Sequence, residues 1–160
     1  MFDGKSIDYQ QTTLQNDGFW PDIDAGDFER ARTIPPVIDH GVVINALLTA
    51  IAELNMSLTA TQTRYREAGY NTADAVPGPA AIDAVRRDGA PRRTHLTALY
   101  IKALYARAKA DLLPEFATIG RRDAHPGQEA PDVRRGLLAE SAMALRAIMQ
   151  RPRCSVSLID

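Results

Sequence analysis

The sequence predicts an all-α fold: a bundle of three main helices with an N-terminal arm in front and an extended, strand-like tail behind. Three observations carry this. Residues 39–69 hold an unbroken helical pattern between two capping residues. Two further amphipathic stretches follow, each closed by a proline. Only the last residues switch to the two-residue period of a strand.

The first long helix is the element around which the rest is organised. Ile44, Leu47, Leu48, Ile51, Leu54 and Leu58 recur every three or four residues and so share one face. Asp39 is the N-cap after the Pro35-Pro36 breaker, and Gly69 stands where a left-handed C-cap residue belongs. A helix of about 30 residues is ~45 Å long. Propensity alone does not hold such a helix, so its apolar face needs cover from the others.

Ahead of it, Met1–Gly18 is polar and reads as a flexible arm with little to bury; Ile7 and Tyr9 give only a weak strand signal. Phe19-Trp20-Pro21-Asp22-Ile23-Asp24 contains the single tryptophan and reads as an aromatic plug, with Phe19, Trp20, Asp22 and Ile23 anchoring the arm. Asp24 caps a short helix through Phe28, Glu29 and Arg30. Asp22, Asp24 and Asp27 do not form a calcium loop. The glycine falls at the fifth loop position instead of the sixth, and Thr33 stands where a bidentate glutamate is required.

After the long helix, Tyr70–Pro79 is a connector, Ala80–Arg87 one short helix, and Asp88-Gly89-Ala90-Pro91 a turn. Arg86, Arg87, Arg92 and Arg93 cluster around that turn. They form a solvated patch by default and a contact for passing DNA phosphate in the alternative. The second strong helix starts at Pro91 or Thr94 and is stopped by Pro114, with Leu96, Leu99, Tyr100, Ala103, Leu104 and Ala110 on its apolar side. Phe116–Ala130 reads as a loop. The third helix, Pro131–Gln150, buries Leu137, Leu138, Ser141, Leu145, Ile148 and Met149 and ends at Pro152.

In Arg153-Cys154-Ser155-Val156-Ser157-Leu158-Ile159 apolar and polar residues alternate. A lone strand leaves its N–H and C=O groups without partners, so this tail points to a contact with another molecule by strand addition. The division is therefore 1–18 arm, 19–151 helical domain and 152–160 tail.

Composition bounds the function. The 160 residues fit one domain, and the net charge of −1 supplies no global field for nucleic acid. Residues 1–80 carry 5 basic and 11 acidic side chains, and residues 81–160 carry 14 and 9, so the halves hold −6 and +5. That asymmetry suits two solvated faces or a head-to-tail contact between copies. Cys154 is the one cysteine, which excludes an intrachain disulfide. No apolar run approaches 18 residues, so no membrane span is expected. His40, His95 and His125 have no partner at metal-ligand spacing, and no phosphate loop, dinucleotide fingerprint or nucleophile elbow occurs. Neither enzymatic chemistry nor a cofactor is expected.

Three patches carry a family resemblance. The ending Arg151-Pro152-Arg153-Cys154-Ser155-Val156-Ser157-Leu158-Ile159, the stretch Phe19–Asp24, and Tyr65-Arg66-Glu67-Ala68-Gly69-Tyr70 followed by Ala73–Pro77 resemble the head-completion proteins (gene L products) of peduovirus-type contractile-tailed phages. The resemblance runs from Phe19 to Ile159 and is loose over Ala80–Arg93 and Phe116–Ala130. It implies a helical head-tail adaptor in the virion neck, assembled in the bacterial cytoplasm. It further implies a ring, expected to be a dodecamer, seated under the portal protein, stabilising the DNA-filled head and offering a surface to neck and tail-terminator proteins. Packaged DNA would pass nearby without sequence-specific binding. The alternative is a DNA-binding accessory factor in packaging or regulation, using the four arginines.

Overall fold

A computed structural model describes residues 8–82, 93–119 and 129–151. The elements run β1 (Thr13–Leu14), β2 (Ile23–Asp24), α1 (Ala25–Ala31), α2 (His40–Glu67), a 3-10 turn (Ala73–Ala75), α3 (His95–Ile119) and α4 (Glu129–Ile148). Three long helices and the short α1 make the chain mostly helical, with one antiparallel two-stranded ribbon pairing Thr13 with Asp24 and Leu14 with Ile23.

Both ends of α2 are built by their local sequence. Asp39 Oδ1 accepts from the N–H groups of Gly41 (2.8 Å) and Val42 (3.4 Å). At the far end the Tyr70 N–H reaches Tyr65 O at 3.0 Å and the Gly69 N–H reaches Arg66 O at 3.0 Å, with Gly69 at φ +96°. This is a Schellman cap, closed by the residue type that carries no Cβ penalty there. The buried stripe is Val43, Ala46, Leu47, Ala50, Ile51, Leu54, Leu58 and Thr61. Leu48, expected inside, is 48% exposed, and Ile44 is half-buried. The buried centre lies toward small residues, because Ala46 and Ala50 let neighbouring chain approach closely where bulkier residues would hold it off.

By length and composition α2 is long and apolar enough to cross a bilayer, contrary to the expectation drawn from uninterrupted runs. Here it packs along α3 instead. Its Glu53 pairs with Arg107 at 2.8 Å, and Asn55 is hydrogen-bonded to Tyr100.

The central helix is α3. Leu96, Thr97, Tyr100, Ala103, Leu104, Tyr105, Ala106, Ala108, Ala110 and Leu112 are all buried, on more than one face, because α2 and α4 both lie against it. Its start is a reciprocal threonine cap: Thr97 Oγ1 accepts from the Thr94 N–H (2.9 Å), and Thr94 Oγ1 accepts from the Thr97 N–H (3.4 Å). Pro114 does not stop it. The helix continues to Ile119, since Phe116 still packs on the core and Asp111 faces Arg134 of α4 at 3.8 Å. Tertiary packing here outweighs the ~3 kcal/mol that an interior proline costs. Of the expected loop from Phe116 to Ala130, residues 116–119 and 129–130 are helical, and the rest lies outside the described residues.

Within α4, Ser141, Ala144 and Ile148 are buried, whereas Leu137, Leu138, Leu145 and Met149 are half-buried. Ser141 Oγ donates to Ala103 O at 2.9 Å, which holds the two helices at close approach. Gln150 at φ +57° closes α4, with the Arg151 N–H on Arg146 O at 2.9 Å.

Two expectations need correction. Residues 8–18 are not a bare arm. Gln10 and Leu14 are buried, Leu14 in the ribbon and Gln10 donating to Glu29 through its backbone N–H (3.2 Å) and its amide (2.6 Å). The ribbon also falls at Thr13–Leu14, away from the weak signal at Ile7 and Tyr9. Second, Ala80–Ile82 are extended, not helical: Ala81 bridges Thr94, with the Ile82 N–H on Arg93 O (2.8 Å) and the His95 N–H on Ala80 O (2.9 Å). The rest of that expected helix lies outside the described residues.

Candidate functional site

The Phe19–Asp24 patch folds into the centre of the molecule. Asp17 Oδ1 accepts from the N–H groups of both Phe19 and Trp20, each at 3.0 Å, and this turn aims both rings inward. Phe19 and Trp20 are each 2% exposed and meet edge to face, with centroids 4.9 Å apart. Trp20 stacks on Tyr100 of α3 at 4.8 Å, and Phe19 stacks on Tyr65 of α2 at 6.3 Å. Ile23 is buried in the ribbon. Asp22 Oδ1 takes the Asn16 N–H at 2.8 Å, and Asp24 Oδ1 caps α1 through the Asp27 N–H at 2.8 Å.

Beside the rings a closed hydrogen-bond cycle joins three elements. Asn16 Nδ2 donates to Tyr100 Oη (2.9 Å), Tyr100 Oη to Asn55 Oδ1 (2.7 Å), and Asn55 Nδ2 back to Asn16 Oδ1 (2.8 Å). Burial pushes the Tyr100 hydroxyl far above its ordinary range, so it remains a neutral donor. Burial also raises Tyr105, to about 12. Sequence reading overlooked Asn16 and Asn55. The one signal is Asn55, an asparagine inside an apolar helix, a pattern that a solvated residue shares; Asn16 lies in no helix and gives none.

A second polar cluster ties α1 to α3 and α4. Arg32 pairs with Glu140 at 2.7 Å, and Lys109 Nζ donates to Arg32 O at 2.8 Å. The hydrogen bond from Arg32 holds the Glu140 carboxyl below its usual value, and burial with the nearby Arg32 charge lowers the Lys109 ammonium.

Neither cluster has the form of a catalytic site. The tyrosine hydroxyl faces amides that cannot take its proton, and the carboxylate is committed to a guanidinium. Among the described residues no group of three metal-binding side chains occurs. Buried side-chain nitrogens without a partner in the described residues include Trp20 Nε1 and His95 Nδ1. The His95 ring fills the space beside Gly78 that a Cβ would need. Of the four arginines around residue 89, Arg93 is exposed at the entry to α3; Arg86, Arg87 and Arg92 lie outside the described residues, as does the tail from Arg153 through Ile159.

In the described residues these polar groups hold the helices together. The profile of the family described as "Phage head completion protein (GPL)" matches residues 14–159. The "Probable head completion/stabilization protein" of Haemophilus phage HP1 (strain HP1c1) is 35% identical over 159 residues, covering 99% of this chain and 100% of the relative. No solved structure matches. With the match running from the ribbon through α4 and beyond, the chain belongs to the phage head completion protein (GPL) family.

Proposed function

We propose that this chain acts as a head-tail adaptor: copies form a ring beneath the portal, close the DNA-filled head and present a surface to the neck and tail proteins. The observation that carries the reading is the match to a head completion/stabilization protein over the full length of both chains. The family is structural, and a head completion protein is a component of the virion. The framework suits such a role, since rigid packed helices keep their shape under load from a filled capsid.

The tail residues Arg153, Cys154, Ser155, Val156, Ser157, Leu158 and Ile159 are the proposed contact with the portal, because their alternating pattern needs a partner edge. The test removes residues 152–160 and measures co-sedimentation with purified portal. Loss of binding with an unchanged melting temperature is expected, and undiminished binding would refute the portal contact. A steeply salt-dependent gel shift by the intact chain would instead favour the DNA-binding alternative.

A further inference from the structure

Residues 80–82 and 93–95 form a short antiparallel ladder at the start of α3. The Ile82 N–H donates to Arg93 O at 2.8 Å and the His95 N–H to Ala80 O at 2.9 Å, so Ala81 and Thr94 face each other without bonding one another. Ala81 therefore turns its own N–H and C=O to the outer edge, where neither has a partner among the described residues. Residues 80–82 are all exposed, and Ile82, a large apolar side chain, is 49% exposed. The Thr94 side of the ladder offers no such edge, because the Thr94 N–H donates to Thr97 Oγ1 in the cap of α3.

α4 carries the end of the chain to this place. It runs antiparallel to α3: Asp111 faces Arg134, and Ser141 Oγ donates to Ala103 O. Continued along both helices, that register sets Ile148 level with the first turn of α3, where Leu96 is buried as Ile148 is. The cap at Gln150 then turns the chain off the α4 axis. Next in sequence come residues 153–159, in which Cys154, Val156 and Leu158 alternate with polar residues. An extended stretch of that length spans ~23 Å at ~3.3 Å per residue. A helix is only ~10 Å wide, so the tail reaches the Ala81 edge from whichever side of α3 it starts.

We infer that the outer edge at Ala81 seats the chain's own tail: before any partner binds, residues 153–159 add to it as a third strand. One tail residue takes both bonds of Ala81, and the apolar row of the tail supplies cover for Ile82. The tether decides the occupant. It holds the tail at an effective concentration in the millimolar range, which a separate molecule at ordinary concentration does not match. Two backbone bonds make a weak contact, and that gives it a use. A seated tail is kept from pairing with stray strand edges, yet a longer edge on another protein displaces it. Displacement by the portal rests on the function proposed above; the seating itself does not.

The test is amide hydrogen exchange, read by NMR, on the purified full chain and on a chain ending at Arg151. The Ala81 amide should exchange at least about tenfold more slowly in the full chain. Val156→Pro, which removes a donor and interrupts the strand, should return the rate toward that of the shortened chain. The protection should not change when the protein concentration is raised about tenfold. Equal rates in the full and shortened chains would overturn the inference, and so would protection that Val156→Pro leaves intact. Protection that grows with concentration would give the edge to the tail of a second copy and overturn it too. The melting temperature should not respond, because an edge of this kind opens locally, without global unfolding. Co-sedimentation with portal keeps the two readings apart. Undiminished portal binding by the shortened chain, with Ala81 protected in the full chain, removes the portal contact and leaves the seating. Lost portal binding, with Ala81 unprotected in both chains, does the reverse.

Discussion

Trp20 lies flat on Tyr100, with ring centroids 4.8 Å apart and planes 7° from parallel. The pair joins the N-terminal segment to the central helix at the point where Asn16, Asn55 and Tyr100 close their hydrogen-bond cycle. Three elements distant in sequence are thus locked at one place by an apolar and a polar contact together.

Trp20→Ala should therefore be among the most damaging single changes. It removes a fully buried ring, its stacking on Tyr100 and its edge contact with Phe19, a loss of about 3–5 kcal/mol. Urea unfolding of the purified variant measures it. A loss under about 1 kcal/mol, the typical cost of an ordinary substitution, would show that the N-terminal segment is not fastened by this ring.

The end of α1 offers the opposite sign. Thr33 sits at φ +53°, with the Ile34 N–H on Glu29 O at 2.9 Å, the same cap geometry that Gly69 completes for α2. A β-branched residue is strained there, and the Thr33 side chain is exposed. Thr33→Gly should stabilise the chain by about 1 kcal/mol, and Gly69→Ala should destabilise it by a similar amount. Differential scanning calorimetry of both variants tests the pair; a lower melting temperature for Thr33→Gly would contradict the cap assignment.

Glu140 makes a pH prediction. Its carboxyl titrates below the ordinary 4.5 because Arg32 hydrogen-bonds the charged form. The folded state therefore holds the carboxylate more tightly than the unfolded chain does. The stabilisation is fully present above the unfolded pKa and disappears as pH falls through the folded one. At neutral pH Glu140→Gln should cost about 1 kcal/mol, a modest figure because the pair is partly solvated. The gap between wild type and variant should close as pH drops below about 4. A gap that stays constant from neutral to acid pH would mean the ion pair contributes nothing.

Much of the architecture is legible in the residues. Asp39 and Gly69 bound α2 because capping is a local matter, decided by a side-chain oxygen within reach of two amides and by the lack of a Cβ. Asp24 starts α1 for the same reason. The family patches, short and specific, are likewise read directly from the chain. Pro114 shows where such reading stops: its cost is local, but the packing that overrides it comes from α4, more than a dozen residues away. Burial of Gln10 and Leu14 is not legible because a polar, sparse segment gives no periodic signal; Leu14 has its partner Ile23 across the ribbon and Gln10 has its partner Glu29 on α1.

By itself the sequence determined that three long amphipathic helices form, where most of them begin and end, and to which family the chain is similar. Only the tertiary structure decided which face of α2 goes inward, that Tyr100 is the meeting point of Asn16, Asn55 and Trp20, and that α3 lies between α2 and α4. The reason is physical. Periodicity and capping depend on neighbours within a turn or two, whereas burial depends on what else competes for the same surface, and that is known only when all the helices are in place.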